Sequence, residues 1–383
     1  MVNLLFIEGL PLDFFNPRSI ICFVAILQGA IFAALLLLRY FKHKKTADAW
    51  LAALLGVLCL SLVTPLIGFA NVYDRNQWLT YFPFTISYSH GVLVWFYVVY
   101  LTNSRRRLRL KDLLFFIPSV AYVAFRLVLF AQDLEFKRWF DDKFYAPFVG
   151  AFVFVTEFAW NAAFLYLAIR HYRQYRAWTD ENYSDTEKIE FGWLRNFLYL
   201  FTFVFVTSAV FDFTDSFLFK LSYMQYFYFE FVTALVTYYL AVAGYLRSQA
   251  IEPDFTPKPD ETGATKRALL TEKELARLKQ KLQDLMRVEK PYLNAQLGLN
   301  DLSRNLGVNS AVLSYVINNG FGVNFNDFVN QFRIDEVKAK LALGENENQT
   351  LLAVAFDCGF NSKATFNRAF KKFTGVAPRD FRF

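Results

Sequence analysis

The sequence predicts an all-α protein in two bodies. A seven-helix transmembrane bundle fills residues 1–247, and a small cytoplasmic domain with two helix-turn-helix units closes the chain. Three observations carry this expectation. Seven apolar stretches are each long enough to cross about 30 Å of hydrocarbon. Basic residues crowd alternate loops between them. A helix-turn-helix pattern occurs twice in the last hundred residues. Composition agrees: 55% of the 383 residues are hydrophobic and 19% aromatic, and the 46 Phe crowd the first 245 positions. The net charge of +7 and pI near 9.1 suit an anionic membrane surface, nucleic acid, or both.

The apolar stretches run near 19–38, 49–70, 81–102, 113–131, 146–169, 193–214 and 224–246. Arg39, Lys42, Lys44 and Lys45 follow the first. Arg105, Arg106, Arg107, Arg109 and Lys111 follow the third, and Arg170, Arg173, Arg176 and Lys188 follow the fifth. The other loops hold fewer basic residues: Arg75, then Lys137, Arg138 and Lys143, then Lys220. By the positive-inside rule the N-terminus lies outside and the C-terminus inside. Residues Met1 to Arg18 lack a basic region followed by a cleavage site, so a removable signal peptide is not expected. Cys22, Cys59 and Cys358 suggest core packing rather than a disulfide or metal framework.

Ionisable residues inside a bilayer are costly and point to function. His90 and Glu157 fall near mid-span; Arg126, Asp212, Asp215 and Glu230 fall nearer the outer side. One reading is a polar pocket for a small-molecule or lipid signal, with Arg126 and Glu230 or Glu157 as its charged floor. Trp95, Trp160 and Asn161 would line it. The other reading is mutual pairing that holds the bundle together. No His-Glu-x-x-His pair, Gly-x-Ser-x-Gly elbow or phosphate-binding glycine loop occurs, so neither an enzyme, a metal site nor a cofactor is expected.

Residues 248–269 read as a flexible linker carrying Pro253, Pro257, Pro259 and Gly263. A connector helix spans 270–290. Thr271 and Glu274 stand at capping-box spacing, and Pro291 ends the helix. Leu275, Leu278, Leu282 and Leu285 form one apolar seam, suited either to a homodimer contact or to packing on the chain's own domain.

The final domain spans 291–383. In its first unit Gly307 supplies the turn and Ser303 the small residue that lets two helices approach. Leu302, Leu306, Val308, Leu313 and Val316 take the apolar offsets, and Asn300 and Asn309 are candidate helix caps. In the second unit Thr350 caps a helix with Leu352, Val354 and Ala355, and Gly359 makes the turn. A recognition helix follows from Ser362 to about Phe373. A long connecting helix, Asn324 to Leu343, turns Phe325, Phe328, Ile334, Val337 and Leu341 inward. Gly322-Val323-x-x-x-Asp327-Phe328 recurs as Gly375-Val376-x-x-x-Asp380-Phe381, a short internal repeat that supports two similar units. The Gly-to-Gly spacing is fifteen residues in the first unit and sixteen in the second, which gives the second turn one extra residue. From Lys266 onward, eighteen Lys and Arg face twelve Asp and Glu, a net near +6 that suits a polyanion.

The run Ala355 to Gly375, "AFDCGFNSKATFNRAFKKFTG", followed by Val376-Ala377-Pro378-Arg379-Asp380-Phe381-Arg382, resembles the signature of the AraC/XylS family of bacterial transcription regulators. "NFNDFVNQFRI" from Asn324 to Ile334 is similar to that family's connecting helix. The resemblance covers about Pro291 to Phe383, with Ser303 in place of the more usual alanine. It implies double-stranded DNA as partner, with both units entering neighbouring major-groove segments about 34 Å apart. The N-terminal half does not resemble the family's usual sugar-binding barrel and suggests the membrane-bound subset with a multi-span sensor. The expected DNA-contacting residues are Asn309, Ser310, Ser314 and Tyr315 in the first unit. In the second they are Asn361, Ser362, Lys363, Thr365, Asn367 and Arg368, with Lys371 and Lys372 on the phosphate backbone.

Together these readings imply a sequence-specific regulator anchored in a bacterial inner membrane. A lipid bilayer surrounds its sensor, and its DNA-reading domain lies in the cytoplasm. Signals are expected to pass through the seventh span and the linker, and to act by dimerisation or by release of the DNA-reading domain. The alternative is a transporter-like membrane protein with a regulatory DNA-binding tail.

Overall fold

In the computed structural model the described residues are 16–70, 72–184, 192–219, 221–247, 255, 270–343 and 349–381. They are helical throughout apart from turns, irregular segments and isolated bridge residues. Two compact units emerge. One holds Met1–Tyr172 with Trp193–Asp254, the other Arg173–Gly192 with Phe255–Phe383. The second unit therefore includes a segment that the sequence assigns to the membrane part.

The first unit opens with α1 (Pro17–His43). Asn16 caps it by accepting the backbone N–H groups of Arg18 and Ser19, and Pro17 takes the first turn, where its missing N–H is harmless. α2 (Thr46–Phe69) returns against α1 as a helical hairpin, and Arg39 near the end of α1 forms a buried ion pair with Asp48 of α2. α3 (His90–Thr102) is the most enclosed helix. Val92, Val94, Phe96, Tyr97 and Val98 are fully buried. α4 (Ile117–Phe130), α5 (Gly150–Asn182), α6 (Gly192–Phe213) and α7 (Tyr223–Arg247) follow. α7 packs on α1 and α2.

Among the described residues, six helical stretches are long and apolar enough to cross a membrane: Pro17–His43, Thr46–Phe69, Leu110–Phe130, Leu134–Asn182, Gly192–Leu218 and Met224–Leu246. The third expected span, 81–102, departs from a helix. Only His90–Thr102 is helical there, a rod of about 20 Å. Pro83 biases Phe82 away from helical geometry, and Tyr81 and Tyr88 adopt left-handed φ of 71° and 65°. Such backbone is tolerated at depth only when protein satisfies it. Here the Glu157 carboxylate accepts from Tyr88 N–H at 3.3 Å, and Asn161 Oδ1 accepts from Gly91 N–H at 2.9 Å. Two side chains one turn apart on α5 thus cap the start of α3.

The second unit contains α8 (Glu272–Val288), α9 (Leu299–Leu306), α10 (Ser310–Gly320), α11 (Phe325–Ala342), α12 (Leu351–Asp357) and α13 (Lys363–Thr374). It has two cores. Leu302, Leu306, Leu313, Val316 and Ile317 form the first with Phe325, Phe328 and Val329 from the start of α11. Val354, Ala355, Cys358, Phe360, Phe366 and Phe370 form the second with Ile334, Val337 and Leu341 from the rest of α11. One helix therefore belongs to both cores and sets their spacing.

α8 begins with the capping box of Thr271 and Glu274. Hydrogen bonds from the Thr271 backbone and hydroxyl hold the Glu274 carboxyl below its ordinary range. The leucine seam faces the chain's own first core. Leu282 and Met286 are fully buried in it, and Leu275, Leu278 and Leu285 pack against it. Lys281 Nζ donates to Leu306 O at 3.0 Å at the end of α9, and Lys279 Nζ donates to Gly320 O at the end of α10. Cations at helix C-termini are favourable there. The seam is thus filled without a second copy of the chain. Of the expected linker, 248–269, all but Phe255 lies outside the described residues. Phe255 is buried against the rings of Tyr175 and Trp178, both 5.6 Å away.

Candidate nucleic-acid interface

The two helix-turn-helix units have the geometry their glycines predict. Gly307 and Gly359 take left-handed φ of 75° and 91°, and a Cβ at Gly359 would collide with the Tyr292 carbonyl. α10 is capped by Asn309, whose Oδ1 accepts from Val312 N–H at 2.8 Å. α13 is capped by Ser362, whose Oγ accepts from Thr365 N–H at 3.1 Å. The cap follows Gly307 by two residues and Gly359 by three, so the second turn is the longer. Asn300 does not cap α9. That helix starts at Leu299, and the Asp301 carboxylate accepts from Gly298 N–H at 3.2 Å. Asn300 Oδ1 instead accepts from the Ser310 hydroxyl, which ties the two helices of the first unit together.

Arg333 of α11 fixes the second unit against the first. It is fully buried, and donates to Tyr292 O at 2.8 Å and Asn294 O at 2.9 Å while lying over the Phe360 ring. Nearby, Lys290 Nζ donates to both oxygens of Glu336 at 2.8 and 2.9 Å, and Tyr292 OH donates to Oε2 at 2.9 Å. Burial works against the Glu336 carboxylate, but these donors outweigh it and hold the group below its ordinary value. Burial and the facing Glu336 push the Tyr292 phenol up.

The expected DNA-contacting residues divide by exposure. In the first unit Asn309 is exposed, and Ser310, Ser314 and Tyr315 are half-buried. Ser314 Oγ accepts from Asn318 at 3.3 Å. In the second unit Lys363, Asn367, Arg368, Lys371 and Lys372 are exposed on α13. Lys372 Nζ pairs with the Asp327 carboxylate at 2.6 Å. Asn361 is exposed, and its Nδ2 donates to Ala295 O at 3.0 Å. Thr365 is 2% exposed, with its hydroxyl accepting from Ser362 Oγ at 3.2 Å, so it faces the interior of the unit.

Sequence reading missed the end of α5. Tyr183 forms an isolated antiparallel bridge with Gly298. Ser184 donates to Leu297 O from both N–H, at 3.3 Å, and Oγ, at 2.7 Å. Arg333 Nη2 donates to Ser184 Oγ at 3.1 Å, and Asn326 Nδ2 donates to the carbonyls of Tyr183 and Ser184 at 3.2 and 2.9 Å. Arg176 and Asp180 share a cleft with Asn326 and Asp327 of α11 and with Thr365, Arg368 and Lys372 of α13. The available signal was the aromatic series Tyr175, Trp178, Tyr183, which continues past the end of the fifth apolar stretch.

Four of the six ionisable residues expected to sense a signal gather round one of them: Asp212 lies within electrostatic reach of Glu157, Asp215 and Glu230. Arg126 turns to Tyr81 for its hydrogen bond rather than to Glu157 or Glu230. Its Nε donates to Tyr81 O at 3.2 Å and its guanidinium covers the Tyr81 ring. Glu157 serves the Tyr88 backbone, and His90 is the first residue of α3. Asp212 accepts from Ser208 Oγ at 3.1 Å within α6, and Asp215 accepts from Leu221 N–H at 2.9 Å. Glu230 is half-buried on α7. Arg126 and Glu157 share one neighbour, the irregular segment 81–89, because its unpaired backbone groups need partners.

Residues 302–383 match the helix-turn-helix domain family. Two uncharacterized HTH-type transcriptional regulators of Staphylococcus aureus, from strains COL and N315, are each 33% identical to this chain over 91 residues. The match covers 24% of this chain and 12% of each relative, so the chain spans about an eighth of the length of the curated relatives it matches. A further such regulator from Staphylococcus aureus is 31% identical over 91 residues, with the same coverage. No solved structure matches the chain.

Proposed function

We propose that the chain is a membrane-anchored, sequence-specific transcription regulator that senses a small-molecule or lipid signal through its apolar helices and acts without catalysis. The observation that carries this reading is the pair of helix-turn-helix units at the two ends of α11, each with an exposed polar helix face. α11 has 18 residues, about 27 Å, which suits two units reading segments about one helical turn apart. Anchoring is supported by the six apolar stretches and by large apolar side chains turned outward on them, including Phe23, Val120, Phe152, Val206 and Leu235. α3 with segment 81–89 is the seventh crossing in this reading. In this reading the basic loops face the cytoplasm, and the helix-turn-helix units lie on the same side. The AraC/XylS-like signature assigns these units to promoter DNA. Control by release suits the geometry better than control through the leucine seam, because that seam is filled by its own core.

The test is selection from a genomic fragment pool by the full chain in lipid nanodiscs, at roughly 150 mM salt. Enrichment of sites with two half-motifs about one helical turn apart is the expected result. Retention without sequence preference overturns sequence-specific regulation.

A further inference from the structure

We propose that the end of α5, residues 173–184, is an internal competitor of DNA that lines the Arg368 and Lys372 flank of the second recognition helix until a signal withdraws it. The proposal rests on the reading of α13 as a DNA-contacting helix. α5 has 33 residues, about 50 Å, against the roughly 30 Å a bilayer needs. The surplus is not left in solvent. Tyr175, Thr179 and Ser184 are almost fully buried in the second unit, and every donor that Ser184 offers is used on Leu297 O. Asn326 and Arg333, two side chains of the helix that spaces the units, hold its last residues.

The docked segment adds a second carboxylate, Asp180, to a cleft that already holds Asp327. Arg176 and Asp180 lie one turn apart on one face of α5 and line the same cleft as Thr365, Arg368 and Lys372. A phosphate approaching Arg368 or Lys372 would enter the space beside Asp180, and the two anions would repel. DNA and the α5 end therefore compete at Arg368 and Lys372, while Lys363, Asn367 and Lys371 stay exposed. The same helix carries Glu157 and Asn161, which cap the irregular start of α3.

The bridge between Tyr183 and Gly298 supplies the test. Directly opposed bridge residues have Cα atoms about 4.5–5.5 Å apart, within the range a disulfide accepts. A Cβ at Gly298 meets nothing closer than Asp301 Oδ2 at 3.3 Å. Cys22, Cys59 and Cys358 are buried and separate from this pair. The full chain carrying Tyr183→Cys and Gly298→Cys is placed in nanodiscs and titrated with a random-sequence duplex pool, oxidised and then reduced. Expected are ready formation of the disulfide, at least about tenfold weaker binding when oxidised, and recovery on reduction. Asp180→Ala in the otherwise native chain is expected to bind more tightly than the parent. Failure of the disulfide to form shows that the segment does not dock and overturns the proposal. So does a disulfide that leaves affinity unchanged or raises it. If the reduced chain binds no DNA while the disulfide forms, the DNA-binding reading itself falls, and the competition with it.

Discussion

Arg39 grips Asp48 through two parallel bonds, Nε to Oδ2 at 2.7 Å and Nη2 to Oδ1 at 2.9 Å. Its third nitrogen, Nη1, donates to Tyr245 O at 2.7 Å, and the guanidinium lies 4.9 Å from the Tyr245 ring. The pair is buried, so its charges have little water to fall back on. It joins the end of α1, the start of α2 and the end of α7.

Asp48→Ala removes the carboxylate from that buried guanidinium, which costs about 3–5 kcal/mol. Chemical unfolding of the detergent-solubilised chain is the measurement. Arg39→Lys is also expected to destabilise, because an ammonium cannot make the forked contact. A loss below about 1 kcal/mol for Asp48→Ala would show that solvent or lipid headgroups replace the carboxylate.

Gly91 lets α3 lie close against α5 at Asn161. A Cβ there would stand 2.7 Å from Asn161 O and 2.9 Å from its Cα, and backbone cannot yield as a flexible side chain can. Gly91→Ala is expected to destabilise by about 1–3 kcal/mol through overpacking. Gly56 on α2 has no atom within 4 Å of its added Cβ, so Gly56→Ala is the matched control and should be neutral or slightly stabilising. Equal thermal midpoints for the two variants would contradict the tight packing at Gly91.

The features that sequence reveals here are local ones. Gly307 and Gly359 announce their turns because few other residues adopt left-handed φ cheaply, and Asn309, Ser362 and Thr350 cap helices that begin within four residues of them. The break before His90 was hidden because hydropathy over 81–102 counts apolar side chains and is blind to backbone dihedrals. Pro83 was the one local hint. The end of α5 was misjudged for another reason. Ser184 docks on the Leu297 carbonyl and on Arg333, more than a hundred positions away, and backbone acceptors leave no mark in a sequence. The α8 seam has the same pattern whether it meets a second chain or its own core. Thr365 reads as a polar surface residue by type, yet its position beside the Ser362 cap turns it inward.

Glu336 gives the second unit a pH dependence of definite sign. Its carboxyl is held below the ordinary value of 4.5 by Lys290 and Tyr292 against the opposing effect of burial. A depressed folded pKa contributes stability above the unfolded value and loses it as pH falls through the folded value. Unfolding midpoints should therefore drop as pH is lowered below about 4.5, and Glu336→Gln should flatten that part of the profile. The carboxylate is partly exposed, so the effect is under about 1 kcal/mol. A Glu336→Gln profile parallel to the parent's across this range would remove Glu336 from the account.

Lys363 and Asn367 lie one turn apart on the exposed face of α13 and separate two kinds of contact. A lysine at the start of the helix offers a mobile point charge, suited to phosphate, whereas a carboxamide can match the paired donor and acceptor of an adenine edge. Lys363→Ala should weaken binding to all duplexes alike and reduce the salt slope by about one. Asn367→Ala should leave the salt slope unchanged and cost about 1–3 kcal/mol on selected sites only, with little effect on random duplex. Titrations of both variants over a series of salt concentrations, on a selected site and on random duplex, separate these outcomes. If Asn367→Ala weakens both duplexes equally, this face of α13 grips the backbone, and base reading belongs to the first unit around Asn309 and Ser314.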